Sequence, residues 1–87
     1  MNTTSALEIR QGLRSYFAEQ LPGWSDDATD SESLEMYGLD STGIAILVLY
    51  LEETFAIQIM DEDLTEKNLG TIQRIVDFVQ RETASAS

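Results

Sequence analysis

The stretch from Gly38 to Leu51 reads GLDSTGIAILVLYL and joins the end of a polar segment to the most apolar run of the chain. Apolar residues from here onward recur at the spacing of one helical face: Ile44, Leu47, Val48, Leu51 and Phe55. The run therefore predicts a helix from Ser41 to about Thr54. Asp40 and Ser41 stand at its start, where unpaired backbone N–H groups and the helix dipole favour a negatively charged group.

Helices are also predicted near both ends of the chain. Ser5 and Glu8 fit a capping box that opens a first helix, which continues to about Gln20 before Pro22-Gly23 ends it. Thr71 caps the last helix. The residues expected to face the core are Ala6, Ile9, Leu13 and Phe17 in the first helix, and Ile72, Ile75, Val76 and Val79 in the last.

The segments between these helices are polar. Residues 23–40 form a long loop, for which Trp24, Leu34 and Met36 are the expected anchors, and Asp61-Glu62-Asp63-Leu64 predicts one short helical turn. No segment shows convincing strand alternation. The prediction is an all-α fold with three long helices, one short helix and a long loop between the first two. It forms one domain over residues 1–87, with a core at about 5–82.

Composition excludes several classes of function. Sixteen acids against five bases give a net charge of −11, and residues 26–66 hold twelve acids and no base. This balance opposes nucleic-acid binding and favours partners with basic docking surfaces. The absence of cysteine excludes disulfides, thiolate metal sites and a cysteine nucleophile. The absence of histidine removes the commonest general base and the commonest metal ligand.

The sequence also bears on location. Residues 1–5 lack the basic and apolar regions of a signal peptide. The apolar run Ile44–Leu51 is far shorter than the ~20 residues that span a bilayer. A cytoplasmic protein without a membrane span is expected.

The stretch Leu34–Ser41 resembles the attachment motif of acyl carrier proteins and peptidyl carrier domains. Four later stretches resemble that family's successive landmarks: Leu51–Phe55, Ile57–Ile59, Asp61–Leu64 and Thr71-Ile72. The resemblance implies a small four-helix bundle of the acyl-carrier type. It also implies that Ser41 accepts the 4′-phosphopantetheine arm of coenzyme A, and that the chain is a carrier and not an enzyme.

The same resemblance implies that Asp40 helps a transferase to engage the serine, and Asp40 can equally serve as a second acid that caps the helix. Gly38 is expected to supply an unusual backbone turn, and Leu39 to point its side chain towards the core. Thr42 occupies a position where many family members have Leu or Met. A phosphodiester on Ser41 is expected near the N–H groups of Thr42 and Gly43.

The implied partners are a phosphopantetheinyl transferase, a ligase or adenylation enzyme that loads an acyl or aminoacyl group, and downstream acyl-using enzymes. The carrier itself is expected to be a monomer. A chain that begins with Met and ends soon after its last helix fits a free-standing carrier.

The outer face of the second helix departs from the fatty-acid-synthesis carriers, which have acids there. Here the face contains Ala45, Ile46, Leu49 and Tyr50. Three explanations are open: loop residues such as Trp24 and Met36 cover it, it docks partner enzymes through Ala45, Ile46 and Leu49, or it mediates self-association. The departure favours a dedicated carrier in a specialised pathway, loaded with an amino acid or an unusual acyl group.

Other functions remain to be weighed. An unmodified helical adaptor would dock a partner through Ile46 and Leu49, with Ser41 serving only as a helix cap. A calcium loop that begins at Asp61 would need glycine at its sixth position and glutamate at its twelfth, where Glu66 and Ile72 stand, so no metal site is expected. A hydrolase with Ser41 as nucleophile would lack a histidine base.

Overall fold

The structure, a computed structural model, describes residues 5–86 as helices joined by turns and loops. The α-helices are α1 (Ala6–Gln20), α2 (Ser41–Phe55), α3 (Glu66–Leu69) and α4 (Ile72–Ala86). Two 3-10 turns lie at Leu34–Tyr37 and Asp61–Asp63. The all-helical prediction, with three long helices and one short one, is confirmed.

Helix α1 begins where the capping box predicted. The Ser5 hydroxyl accepts a hydrogen bond from the Glu8 amide at 3.1 Å, and the Glu8 carboxylate accepts one from the Ser5 amide at 3.2 Å. The helix ends at Gln20, and the Leu21 amide still donates to the Phe17 carbonyl at 2.9 Å. Ile9, Leu13 and Phe17 are fully buried, as their spacing predicted.

Helix α2 runs one residue further than predicted, to Phe55, and the next residue, Ala56, adopts a left-handed conformation with φ 56°. Its inward face is narrower than the sequence indicated. Leu47 and Leu51 are fully buried, whereas Ile44, Val48 and Phe55 are only partly buried against the core.

Helix α4 begins at the predicted cap. The Thr71 hydroxyl accepts a hydrogen bond from the Arg74 amide at 3.1 Å. The four predicted core residues of this helix are buried, together with Phe78, which the analysis of spacing had missed. The buried core residues of the bundle are Ile9, Leu13, Phe17, Leu21, Leu34, Leu39, Leu47, Leu51, Ile57, Leu69, Ile72, Ile75, Val76, Phe78 and Val79.

The predicted short helical turn at Asp61–Leu64 is confirmed, and a short α-helix that the sequence did not predict follows it. Asp61–Asp63 forms a 3-10 turn, in which the Met60 amide donates to the Asp63 carboxylate at 3.0 Å. The short α-helix lies further along at Glu66–Leu69, where the Thr65 hydroxyl accepts from the Asn68 amide at 3.3 Å. Threonine is a good N-cap, so Thr65 was the signal that could have located α3.

The long loop between α1 and α2 is ordered by Arg14 of α1. Its guanidinium donates to the carbonyl of Ala28 at 2.8 Å and to that of Asp26 at 3.1 Å. It also lies 3.4 Å from the Asp30 carboxylate and 5.2 Å from the centre of the Trp24 ring. One planar cation therefore satisfies two loop carbonyls and stacks on a loop aromatic side chain.

Further contacts fix the loop to the rest of the bundle. Arg10 Nε forms an ion pair with Asp30 at 2.8 Å, though without hydrogen-bond geometry. The Gln73 amide donates to the Asp30 carbonyl at 3.0 Å, and the Leu34 amide donates to the Gly70 carbonyl at 2.9 Å. Leu34 is a buried anchor and Trp24 is partly buried, as predicted.

Met36 is not an anchor, because 66% of it is exposed. It lies in the Leu34–Tyr37 turn, of which Leu34 is the buried residue. The prediction that Met36 anchors the loop was wrong, since such a tight turn leaves most of its side chains at the surface.

We expect Arg14→Lys to lower the free energy of unfolding by about 1–3 kcal/mol, because a lysine cannot donate to both loop carbonyls from one planar group. Urea unfolding followed by circular dichroism measures the change. Arg81→Lys is the matched control, since Arg81 makes a single exposed hydrogen bond to Asn68. It should change stability by no more than about 0.5 kcal/mol. Equal effects of the two variants would contradict the role given to Arg14.

No helix within residues 5–86 is long and apolar enough to cross a membrane.

Candidate functional site

Ser41 is the first residue of α2, and its side chain is exposed. Asp40, not Ser41, is the N-cap: its carboxylate accepts a hydrogen bond from the Gly43 amide at 2.8 Å. Between residues 5 and 86, the Ser41 hydroxyl and the amides of Ser41 and Thr42 have no hydrogen-bond partner. Of the two amides expected near a phosphodiester on Ser41, that of Gly43 donates to Asp40 and that of Thr42 is unpaired.

The chain reaches Ser41 through a sharp turn at Gly38, whose φ is 101° and ψ 11°. Residues with a side chain rarely adopt this left-handed conformation, so glycine is needed here. Hydrogen bonds from the Gly38 amide to the Glu35 carbonyl at 3.1 Å and from the Leu39 amide to the Leu34 carbonyl at 3.2 Å close the turn. The unusual turn at Gly38 and the inward side chain of Leu39, which is 7% exposed, are confirmed.

Tyr37 stabilises the segment that leads to Ser41. Its hydroxyl donates to the Glu32 carboxylate at 2.6 Å. This hydrogen bond holds the pKa of Glu32 below its ordinary value and raises the pKa of Tyr37. The Gly23 amide donates to the Tyr37 carbonyl at 3.1 Å, so the turn that ends α1 also supports the turn that leads to Ser41.

The four arginine side chains are used for contacts within the molecule. Arg10 and Arg14 bind the long loop, Arg74 donates to the Glu66 carbonyl at 3.3 Å, and Arg81 donates to Asn68 at 3.0 Å. The chain between Arg14 and Lys67 contains no base. Two exposed acids precede Ser41 in the segment that leads to it, Glu35 and Asp40.

A cavity of about 270 Å³ opens between the Leu34–Tyr37 turn, the start of α2 and α3. Its aliphatic lining consists of Leu34, Leu39, Ile44, Leu64 and Leu69. Leu39 and Ile44 lie on either side of Ser41 in the sequence, so the cavity is adjacent to the start of the helix that carries the hydroxyl. No pattern in the sequence indicates this cavity, because it depends on how α3 packs.

The outer face of α2 has an exposed part and a packed part. Ala45, Ile46 and Leu49 are exposed, Ile46 by 46% and Leu49 by 58%. Trp24 and Met36 do not cover them: the Trp24 ring packs 6.0 Å from that of Phe17, and Met36 is itself exposed. The explanation that these loop residues bury the face was wrong.

Tyr50 belongs to the packed part of α2. Its ring stacks on that of Tyr16 at 4.3 Å, and its hydroxyl lies over Gly12 of α1, where a Cβ atom would come within 3.0 Å. Burial raises the pKa of both tyrosines. Gly12 in the middle of a helix was the signal that a bulky neighbour approaches α1.

The described part of the chain contains no group of three or more histidine, cysteine, aspartate or glutamate residues that could hold a metal ion.

The family model for the phosphopantetheine attachment site matches residues 11–79. The match begins within α1 and includes the Gly38 turn, Ser41, all of α2 and α3, and the first half of α4. Proteins of this family carry a covalently attached 4′-phosphopantetheine.

Proposed function

Since the chain belongs to the family of phosphopantetheine-binding carrier proteins, we propose that Ser41 is the residue that bears the 4′-phosphopantetheine arm. The observation that carries this proposal is the exposed Ser41 hydroxyl, which has no hydrogen-bond partner among residues 5–86 and stands at the start of a helix. The two unpaired amides of Ser41 and Thr42, together with the helix dipole, favour the charge of a phosphodiester there.

The role that follows is transport of an acyl or aminoacyl group, without bond chemistry by the chain itself. The arm supplies a thiol that holds such a group as a thioester; the chain has no cysteine of its own. A tethered group is presented to partner enzymes at a high effective concentration. The protein holds the arm at a fixed point, and Asp40 keeps that point at the end of an intact helix.

The exposed residues Ala45, Ile46 and Leu49 supply a docking face next to the arm. We propose that they contact the transferase, the enzyme that loads the acyl or aminoacyl group, and the enzymes that use it. The acidic composition of residues 26–66 favours partners with basic residues around an apolar centre. An apolar face in place of the acids of fatty-acid-synthesis carriers supports a carrier in a specialised biosynthetic pathway.

Intact-protein mass spectrometry tests the proposal directly. The folded chain is incubated with coenzyme A, magnesium and a broad-specificity phosphopantetheinyl transferase, and the modified peptide is then sequenced by fragmentation. We expect one phosphopantetheine per chain, attached at Ser41. A folded protein that gains no mass, or gains it at another residue, would contradict the proposal.

The exposure of Ile46 and Leu49 also supports the alternative of an unmodified adaptor that binds a partner through this face. The two functions differ in what Ser41 does. In an adaptor the serine has no chemical role, and Ser41→Ala would leave the function intact. If Ser41→Ala no longer supported the biosynthetic function of the protein, the adaptor alternative would be excluded.

A further inference from the structure

The turn at Pro22-Gly23, which follows α1, lies directly against the turn that leads to Ser41. The Gly23 amide donates to the Tyr37 carbonyl at 3.1 Å. A Cβ atom at residue 23 would lie 2.9 Å from the carbonyl oxygen of Tyr37, 3.1 Å from its carbonyl carbon and 3.3 Å from its Cα atom. Carbon atoms pack at about 3.5–4.0 Å, so the two backbone segments are closer than a side chain at residue 23 would allow.

Gly23 is therefore required for a different reason from Gly38. The φ of Gly23 is negative, so alanine could adopt its backbone conformation, whereas Gly38 has a φ of 101°. The backbone of Tyr37 is what opposes a side chain at residue 23. Backbone atoms cannot move aside by a change of rotamer, so an added methyl group has to displace the Tyr37–Gly38 peptide.

Little of this displacement can be absorbed between Tyr37 and Ser41. Three residues separate them, and each is held in place. The amides of Gly38 and Leu39 donate to carbonyls of the preceding 3-10 turn, and the Leu39 side chain is buried. The carboxylate of Asp40 caps α2. A shift of the Tyr37 carbonyl should therefore reach the Ser41 hydroxyl.

We propose that Gly23 is a positioning residue for the modification of Ser41, and that it acts through the backbone of Tyr37. The inference rests on the proposed function of Ser41. In that reaction the Ser41 oxygen forms a bond to the phosphorus that carries the pantetheine, the hydroxyl proton passes to a base of the transferase, and the adenosine bisphosphate half of coenzyme A leaves. A misplacement of about 1 Å between reacting atoms can cost a factor of about 100 in rate.

Single-turnover kinetics test the proposal. Each carrier reacts with coenzyme A, magnesium and increasing concentrations of a phosphopantetheinyl transferase that is kept in excess, and intact-protein mass spectrometry follows the gain of one arm. The maximal rate constant reports the chemical step, and the half-saturating concentration of transferase reports docking. Urea unfolding establishes that each variant is folded under the conditions of the assay.

Gly23→Ala should lower the maximal rate constant by about 10-fold to 100-fold. The half-saturating concentration should stay within about twofold of wild type, because the proposed docking residues Ala45, Ile46 and Leu49 lie on α2 and are unchanged. A merely structural role of Gly23 would not separate the two constants in this way.

Gly12→Ala is the matched control, since it adds the same methyl group at another crowded glycine. A Cβ atom there would lie 3.0 Å from the hydroxyl of Tyr50, which is the end of a side chain and can turn aside. Both constants should stay as in wild type.

Tyr37→Phe tests the same segment without a clash at residue 23. It keeps the ring of Tyr37 but removes the 2.6 Å hydrogen bond to Glu32, one of the contacts that hold this residue in place. The maximal rate constant should fall about fivefold, in line with the loss of one hydrogen bond. If Gly23→Ala does not fold, the result for Tyr37→Phe decides.

The inference is overturned if the deciding variant keeps the wild-type maximal rate constant. It is also overturned if Gly12→Ala is slowed as much as Gly23→Ala, or if Gly23→Ala changes the half-saturating concentration alone. A wild type that takes up no arm, or takes it up at another residue, would instead contradict the proposed role of Ser41.

Discussion

Replacing Ser41 with alanine is expected to abolish the uptake of phosphopantetheine completely while leaving the fold intact. The hydroxyl oxygen is the atom that would form the phosphodiester, so no partial activity should remain. The structural cost should be small, because Asp40 caps α2 and the Ser41 hydroxyl is not hydrogen-bonded among the described residues. We expect a change in the free energy of unfolding within about 0.5 kcal/mol.

Thr42→Ala is the matched control for this experiment, since it removes the hydroxyl of the next residue, which is also exposed. It should still take up one arm. Both variants are examined by intact-protein mass spectrometry after incubation with coenzyme A and the transferase, and by urea unfolding. Uptake by Ser41→Ala would show that another residue is modified. A large loss of stability in Ser41→Ala would show that the serine supports the helix after all.

Phe17→Ala is expected to have the largest effect on stability. Phe17 is fully buried, and its ring lies 5.3 Å from that of Tyr16 and 6.0 Å from that of Trp24. Truncation of such a side chain costs about 3–5 kcal/mol, a large part of the roughly 5–15 kcal/mol that stabilises a typical domain. Phe17 also lines a cavity of about 50 Å³ between α1 and the start of α2, so its truncation would enlarge a void that already exists.

Urea unfolding followed by circular dichroism measures this loss. Leu7→Ala provides the comparison on the same helix, because Leu7 is 54% exposed. Its effect should stay within about 0.5 kcal/mol. If the two variants lost similar stability, α1 would not pack against the core through the face that contains Phe17.

The sequence was sufficient for the parts of the fold that depend on local chemistry. Ser5 with Glu8, and Thr71 alone, locate two helix starts because their side chains bond amides three residues away. The left-handed turn at Gly38 was also predictable, since few other residues adopt it. These signals lie within a few residues of the structure that they specify.

What the sequence left open depends on contacts between distant residues. The order of the long loop rests on Arg14, which binds backbone carbonyls twelve and fourteen residues further along. Every residue has such a carbonyl, so the sequence does not indicate which ones are bound. The partial burial of Tyr50 likewise follows from a contact between distant residues, the stacking of its ring on Tyr16 of α1. For the site, Ser41 and the turn at Gly38 could be predicted from the sequence, but the cavity could not, because α3 forms part of it.

The division of roles between Asp40 and Ser41 has a consequence for recognition. Asp40 accepts the capping hydrogen bond at the start of α2, so Ser41 can be esterified without loss of that bond. The empty and the loaded carrier would then present the same backbone to every enzyme that they meet. Partner enzymes would then have to distinguish the two states by the arm and its attached group alone. The order in which they bind the carrier would depend on the chemical identity of that group and not on a change of shape in the bundle.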